Sequence, residues 1–244
     1  MKVGLFIPCY IDQFYPQAGI ATLELLEKFG VDVHYPSKQT CCGQPMANSG
    51  FASLTGGCNE LFVNNFAAYD YIVCPSGSCV LHIKEHLTTK DTAAAESIRN
   101  KIYELTEFLT DILKVDKLSA KFPYRVGLHQ SCHGQRGLKI AQMSELMEPE
   151  FSKPLQLLAL VEDLEIVPLD RKDECCGFGG TFCVTEEAVS VKMGKDRIAD
   201  HLRNGAEYIT ATDLSCLMHL EGILKRQGSK VKVIHIAEIL NHNT

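Results

Sequence analysis

"VGLFIPC", residues 3–9, returns later in the chain as "VGLHQSC", residues 126–132, with a cysteine six positions after the valine in both copies. Two further pairs of segments repeat in the same order. They are "VDVHYPSKQTCCG" at 31–43 with "LEIVPLDRKDECCG" at 164–177, and "DYIVCPSGSCVLH" at 70–82 with "EYITATDLSCLMH" at 207–219. Three ordered matches, each containing cysteine, indicate a tandem duplication.

The duplication predicts two cysteine-rich repeats, one over residues 1–120 and one over residues 121–244. Their boundary falls in "DKLSAKFPY" at 116–124, which is polar and contains a proline. Residues 88–100 are polar and weakly patterned, so they form either an irregular excursion or an amphipathic helix.

Hydrophobic patterning predicts alternating strands and helices. Short runs rich in Val, Ile and Tyr indicate buried strands at 3–8, 31–35, 70–74, 125–129, 164–169, 207–211 and 231–235. Apolar residues at intervals of three and four indicate helices at 18–29, 101–114, 186–203 and 214–226. This alternation predicts an α/β fold of two pseudo-repeated, doubly wound, Rossmann-like halves, each built on a parallel sheet.

Composition and charge argue against nucleic-acid-binding, secreted and membrane-spanning proteins. The 244 residues carry a formal charge of −6 with Lys and Arg scattered along the chain, so we expect no nucleic-acid partner. The first apolar run is too short for a signal peptide, and no apolar stretch approaches the eighteen or so residues of a membrane span. We therefore expect a cytoplasmic protein, in which eleven cysteines indicate metal binding or redox chemistry rather than disulfides.

The repeated cysteines follow predicted strands. Carboxyl ends of parallel strands converge on one crevice of a doubly wound sheet, so each repeat should gather four thiols there. The predicted metal ligands are Cys9, Cys41, Cys42 and Cys79 in the first repeat, and Cys132, Cys175, Cys176 and Cys216 in the second.

Four thiolates suit either zinc or an iron–sulfur cluster. Neighbouring residues of an extended chain point to opposite sides, so a Cys-Cys pair reaches two irons of a cluster more easily than one zinc ion. The glycines after each pair, Gly43 and Gly177, let backbone N–H groups approach an anion. These features favour a cluster in each repeat, with zinc as the alternative.

The motifs also resemble a known family. "GIATLELLEKFG", "TCCGQPMANSG", "YDYIVCPSGSC", "SCHGQR", "ECCGFGGTF" and "SCLMHLEG" are similar to the duplicated cysteine-rich CCG domain found in heterodisulfide reductase and in the iron–sulfur subunit of glycolate oxidase. The strongest resemblance is to the lactate-utilisation protein A family. It implies two iron–sulfur clusters, one per repeat, with zinc, disulfides or no metal at the same cysteines after aerobic preparation.

The chain departs from the full family pattern, which ends in Cys-x-x-Cys and supplies five thiolates. Four residues separate Cys74 from Cys79. Cys74 is either the fifth cofactor-binding residue of the first repeat or a core residue at the end of an apolar strand, and Ala211 takes its place in the second repeat. His219 is either a substitute ligand or a structural residue, because His82 occupies the same position in the first repeat.

Other candidates carry weaker signals. Cys58 has no counterpart and is interpreted as a free thiol, and Cys183 as a residue near the site that is not a ligand. His129 and His133 flank Cys132 without histidine counterparts around Cys9, so a metal-side role, a positioning role and a substrate role all stay open. Together with His133, Arg136 is a candidate anchor for an anion or a partner carboxylate.

The resemblance implies an iron–sulfur electron-transfer subunit of a multi-protein system that oxidises L-lactate to pyruvate. The chain would then be an oxidoreductase component rather than a complete enzyme, with other iron–sulfur and accessory subunits as partners and a small 2-hydroxy acid as substrate. Two alternatives remain open: a CCG-type thiol–disulfide (heterodisulfide) reductase subunit, and a zinc-stapled scaffold without redox function.

Overall fold

Two four-stranded sheets, parallel throughout, form the framework of the computed structural model, which describes residues 1–242. The last two residues of the predicted second repeat lie outside this range. The strands are β1 Lys2–Leu5, β2 Asp32–His34, β3 Tyr71–Cys74, β4 Ile102–Glu104, β5 Arg125–Leu128, β6 Glu165–Ile166, β7 Tyr208–Ala211 and β8 Lys232–His235. The strand order is β2-β1-β3-β4 in one sheet and β6-β5-β7-β8 in the other. The same order in both confirms the predicted fold of two pseudo-repeated α/β halves.

Twelve α-helices are found within residues 1–242. They are α1 Cys9–Phe14, α2 Pro16–Lys28, α3 Gln44–Met46, α4 Gly56–Phe66, α5 Gly77–His86, α6 Thr92–Lys101, α7 Leu105–Glu107, α8 Lys153–Leu158, α9 Phe182–Thr185, α10 Glu187–Arg203, α11 Leu214–Arg226 and α12 Ile236–Leu240. The described residues also contain π-helical turns at Ala47–Phe51, Phe108–Ile112 and His133–Gly137 and a 3-10 turn at Ala52–Leu54. Within the described residues, no helix combines the length and the apolar character that crossing a membrane would require.

One predicted helix is wrong in part. The prediction over 101–114 overlooked β4, which pairs in parallel with β3 through Ile72↔Ile102 and Cys74↔Glu104. Ile102, Leu105 and Phe108 are buried at the spacing of a helix, although Ile102 belongs to β4 and the other two belong to the helical turns that follow it directly. The undecided segment 88–100 contains α6, whose first turn is capped by the Asp91 carboxylate accepting from the N–H of Ala94.

The two repeats share a buried apolar core. It contains Val3 and Leu5 of β1, Val126 and Leu128 of β5, and the aliphatic face of α12. The last helix, α12, packs against α2 of the first repeat. Just beyond it, the Asn241 side chain donates to Glu24 at 2.6 Å. The division at residue 120 stays a prediction, because this core is continuous across it.

A carboxylate of the second repeat caps a helix of the first. Asp213 precedes α11, and its oxygens accept from the backbone N–H of Ser78 at 2.8 Å and from the hydroxyls of Ser78 and Ser76 at 2.8 and 3.2 Å. The backbone N–H of Gly77 also donates to the carbonyl of Thr212 at 3.3 Å. These bonds satisfy N–H groups that the first turn of α5 leaves without a partner inside the helix.

The repeats differ in the core beneath their first strands. In the first repeat Phe6 packs edge-on against Phe62 and Phe66 of α4. In the second, α10 buries Arg197 and His201 completely, and the ring of His201 packs on Gly127 as that of Phe66 packs on Gly4. A group of aromatic rings has therefore been replaced by buried polar side chains.

Asp200 connects these buried polar groups to the loop that carries the second cysteine pair. It lies 3.3 Å from the Arg197 guanidinium and accepts from the backbone N–H groups of Asp170 and Arg171, both at 3.1 Å. Arg197 also donates to the carbonyl of Arg171. The loop is thus held at the sheet by charge-assisted hydrogen bonds from one helix.

We expect Asp213→Ala to lower the free energy of unfolding by about 1–3 kcal/mol, because it leaves the buried N–H of Ser78 without an acceptor. Denaturant titration of the reduced, metal-free protein measures this loss without a contribution from bound metal. Asp91→Ala, which removes the exposed cap of α6, is the matched control and should cost about 1 kcal/mol. A smaller loss for Asp213→Ala than for the control would contradict the importance of the contact between the repeats.

Buried His201 should make the protein less stable in mild acid. Burial, reinforced by the charge of Arg197, lowers the pKa of His201 to about 2. The unfolded chain takes up this proton as the pH falls through roughly 6.5, whereas the folded chain does not, so stability is lost on acidification. Between pH 7.5 and 5.5 the loss from one such histidine is about 1.4 kcal/mol.

The variant His201→Phe, with the ring type of Phe66, should reduce the fall in unfolding free energy over this pH interval by that amount. Denaturant titrations at the two pH values provide the measurement, and His86→Ala, at an exposed site, is the control that should retain the wild-type dependence. An unchanged pH dependence in His201→Phe would show that His201 does not contribute to the acid sensitivity.

Candidate metal sites

Four thiols of the first repeat form a connected group. The Cys9 thiol at the start of α1 donates to the sulfur of Cys41 at 3.8 Å, and the Cys42 thiol donates to the sulfur of Cys79 at 3.5 Å. Cys41 and Cys42 are adjacent in the loop after β2, and Cys79 lies in the first turn of α5. Segments 70 residues apart thus meet beyond the carboxyl ends of β1 and β3.

The electrostatics of this group favour one thiolate among several thiols. Hydrogen bonds from the thiols of Cys42 and Cys9 lower the pKa of Cys41, with a further contribution from the N–H of Gly43. The bonds donated to Cys41, together with burial, raise the pKa of Cys9 and Cys42. A cation bound here would instead favour the deprotonated form of all four sulfurs, since thiolates are the metal-ligating form.

The second repeat reproduces this arrangement. Hydrogen bonds from Cys132 and then Cys176 lower the pKa of Cys175, while the bond to Cys175 and burial raise the pKa of Cys132. Cys176 also interacts with Cys216. Its hydrogen bond lowers the pKa of Cys216, but burial and the charge of Asp213 outweigh this effect, so the pKa of Cys216 is raised. The connected order Cys132, Cys175, Cys176 and Cys216 matches that of the first repeat.

Each cysteine pair ends in a turn that requires glycine. Gly43 and Gly177 have φ values of +91° and +87°, which L side chains rarely adopt. A Cβ on Gly177 would also lie 2.6 Å from the carbonyl oxygen of Ser190. In this conformation the N–H of Gly43 points at the sulfur of Cys41 at 3.4 Å, and that of Gly177 at the sulfur of Cys175 at 3.3 Å. Backbone dipoles therefore favour negative charge on the sulfurs.

The remaining cysteines lie around these groups. All eleven cysteines are free thiols. Cys74 ends β3, is fully buried and points at the carbonyl of Ser76 at 3.8 Å. Burial raises the pKa of Cys74, and the charges of Cys79, Glu104 and Asp213 raise it further. Cys58 begins α4 behind the turn at Gly43, and the Cys183 thiol donates to the carbonyl of Gly180 at 3.0 Å.

His219, His82 and Arg136 have partners of their own near the thiols. The Nε2 of His219 lies 3.3 Å from the carbonyl oxygen of Ser190, a contact that orients the ring toward α10. His82 stacks against His86, with ring centroids 5.1 Å apart. Arg136 pairs with Glu145 at 2.7 Å, so its charge is already matched by a carboxylate. His133 is half-buried at the start of the π turn.

His129 lies beside two thiols of the second repeat, in agreement with a metal-side position. One of its ring nitrogens and the sulfurs of Cys176 and Cys216 lie within 4.8 Å of one another. Burial, with the charge of Arg197, lowers the pKa of His129 to about 3, so the ring is neutral. The sequence signal that could have identified it is the replacement of Phe6, a core residue of the first repeat, by histidine in an otherwise matching strand.

The donor sets suit a thiophilic metal group. Thiolate sulfur with neutral imidazole is a ligand set for zinc and for iron–sulfur clusters. The glycine turns provide N–H donors to the sulfurs, which is how proteins stabilise a negatively charged cluster. The assignment of individual cysteines as ligands stays a prediction.

Comparison with known proteins agrees with the repeat structure. The CCG cysteine-rich domain family matches residues 3–84 and again residues 126–221. The chain is 41% identical over 246 residues to lactate utilization protein A of Geobacillus sp. (strain WCH70), with 99% of each chain covered. It is 42% identical, with the same coverage, to lactate utilization protein A of Geobacillus kaustophilus.

Among solved structures, glutamate racemase isoform RacE1 of Bacillus anthracis matches with a TM-score of 0.38 and 12% sequence identity, over 98% of this chain and 78% of the racemase. This structural similarity is too weak to indicate a function. The two matches to the cysteine-rich domain and the full-length identity to these relatives place the chain in one family. This chain belongs to the lactate utilization protein A family, whose architecture is a duplicated CCG cysteine-rich domain.

Proposed function

We propose that this protein takes part in lactate utilization as the iron–sulfur electron-transfer subunit of a multi-protein system that oxidises L-lactate to pyruvate. Its partners would be other iron–sulfur and accessory subunits, and its compartment the cytoplasm, where reducing conditions keep its eleven thiols available. The family relatives named for lactate utilization support the pathway. The chemistry is supported by the residues themselves.

One observation carries the proposal: each repeat brings four thiols together at a glycine turn whose N–H points at a sulfur. Such donors stabilise extra negative charge on sulfur and so ease the uptake of an electron. Structural zinc sites with thiolate ligands use such donors as well, so this feature supports a thiolate-bound metal group, and metal analysis separates a cluster from zinc.

The reaction needs an electron acceptor of this kind. Conversion of L-lactate to pyruvate removes two hydrogens from the substrate as two electrons and two protons, and side chains alone do not take up such electrons. When bound, a cluster at each site would supply a one-electron acceptor. In the proposal, the C–H bond breaks on a partner subunit, and the thiolates of this chain would hold the clusters that accept the two electrons one at a time.

The contact between the repeats joins two helices that each carry a thiol of a candidate site, and this supports the proposal. Asp213 caps α5, which carries Cys79, and immediately precedes α11, which carries Cys216. Its charge acts on both Cys74 and Cys216. The same contact therefore fixes the positions of both groups relative to each other, as transfer between two centres requires.

A zinc-stapled scaffold is the second candidate, and the sulfur–sulfur distances favour it. A tetrahedral zinc ion with Zn–S bonds of about 2.3 Å holds its sulfurs about 3.8 Å apart. The Cys9–Cys41 and Cys42–Cys79 distances of 3.8 and 3.5 Å are close to this value. Metal analysis separates the two candidates.

Anaerobically purified protein should contain roughly eight irons and an equal amount of acid-labile sulfide per chain, as expected for two four-iron clusters. Cys176→Ser should lose about half of both, because it removes a ligand from one site, and Cys42→Ser, the matching change in the first repeat, should do the same. About two zinc ions without sulfide would contradict the cluster and support the scaffold.

L-Lactate should bleach the visible absorption of the complex isolated from cells grown on lactate, and should leave that of this chain alone unchanged. The reason is that substrate oxidation is assigned to a partner subunit. Recovery of the absorption after an added oxidant is the control for reversible reduction. Oxidation of the dithionite-reduced chain alone by a disulfide, with no response of the complex to lactate, would instead indicate a thiol–disulfide reductase.

A further inference from the structure

Position 129 is where the two repeats differ most in chemistry. Its counterpart Phe6 is an ordinary core residue whose ring lies 4.9 Å from that of Phe62 and 5.8 Å from that of Phe66. His129 lies at the same depth, with 1% of its surface exposed. Replacing a packed phenyl ring by imidazole brings two polar atoms into the core, and these require partners.

Neither ring nitrogen of His129 has a hydrogen-bond partner among residues 1–242. Each buried polar atom left in this way costs about 1–3 kcal/mol. Both ring nitrogens of buried His201 also lack a partner within the described residues, so His129 is distinguished by its position: a ring nitrogen lies within 4.8 Å of the sulfurs of both Cys176 and Cys216. A neutral imidazole carries a lone pair that a metal can accept.

The second site also lacks a donor that the first contains. Cys74 ends β3, and the corresponding end of β7 is Ala211, which has no ligand atom. His129 follows β5, the strand that pairs with β7, and its backbone N–H donates to the carbonyl of Thr210 at 2.7 Å. It therefore stands on the neighbouring strand, beside the position where the sulfur is missing.

We infer that His129 is a nitrogen ligand of the metal group in the second repeat, where it takes the place of the fifth sulfur available in the first. The two sites would then be chemically unlike: cysteine alone in one, cysteine with histidine in the other. The inference rests on the proposed function only in taking the metal group to be an iron–sulfur cluster.

This difference in ligands predicts the direction of electron transfer between the two sites. A neutral imidazole in place of a thiolate removes one negative charge from the cluster and raises its reduction potential, as histidine ligands do in Rieske centres. The buried guanidinium of Arg197, whose charge acts on Cys176, works in the same sense. Electrons should therefore pass from the site of the first repeat to that of the second.

Pulsed electron paramagnetic resonance of the reduced protein, labelled with ¹⁵N in its histidine rings, tests the assignment. We expect a strong nitrogen hyperfine coupling in the wild type and its loss in His129→Phe, which restores the residue of the first repeat. The potential of the second cluster should fall in this variant. His129→Cys should keep the wild-type iron content while losing the nitrogen coupling, so the test does not depend on the stability of the phenylalanine variant.

His219→Phe is the control, because it removes another histidine near this site and should leave the strong coupling intact. A wild-type protein with full iron content but only weak nitrogen coupling would overturn the inference and assign His129 as a hydrogen-bond donor to sulfide. So would a strong coupling that persists in His129→Phe.

Protein without iron or sulfide would contradict the proposed function, but not the assignment of the ligand. The same variants would then be loaded with cobalt(II). A change in the d–d absorption on His129→Phe would support nitrogen ligation, and identical spectra would overturn it.

Discussion

The carboxylate of Asp213 connects the two repeats where a helix of each begins. It closes the first turn of α5 in one repeat and precedes α11 in the other, and each of these helices carries the last thiol of a site. A local N-cap would have stabilised α5 equally well. Supplying the cap from the other repeat instead makes the position of Cys79 depend on that of Cys216.

Much of the fold could be predicted because duplication tests each inference twice. The three repeated segments place strands at equivalent positions, and the parallel sheets with one strand order confirm them. The grouping of cysteines followed from a general rule, since strand ends in a parallel sheet meet at one edge. The spacing of residues in sequence was sufficient for these features.

Other features could not be predicted because they depend on contacts between distant residues. Asp213 and Ser78 are 135 residues apart, and no local pattern marks an aspartate as the cap of a remote helix. The strand β4 was hidden because Ile102, Leu105 and Phe108 imitate the period of a helix. The position of His129 near two thiols depends on how deeply its strand is buried, which the sequence of the strand does not state.

The packing of α12 against α2 has a consequence for biosynthesis. The first repeat has its own sheet and thiols, yet α2 packs against a helix that ends at Leu240. A nascent chain emerges from the ribosome N-terminus first, so this surface of the first repeat stays uncovered until α12 has been translated. Burial of the apolar surface of α2 is thereby tied to synthesis of the second repeat, and a product terminated before α12 would expose that surface to chaperones and proteases.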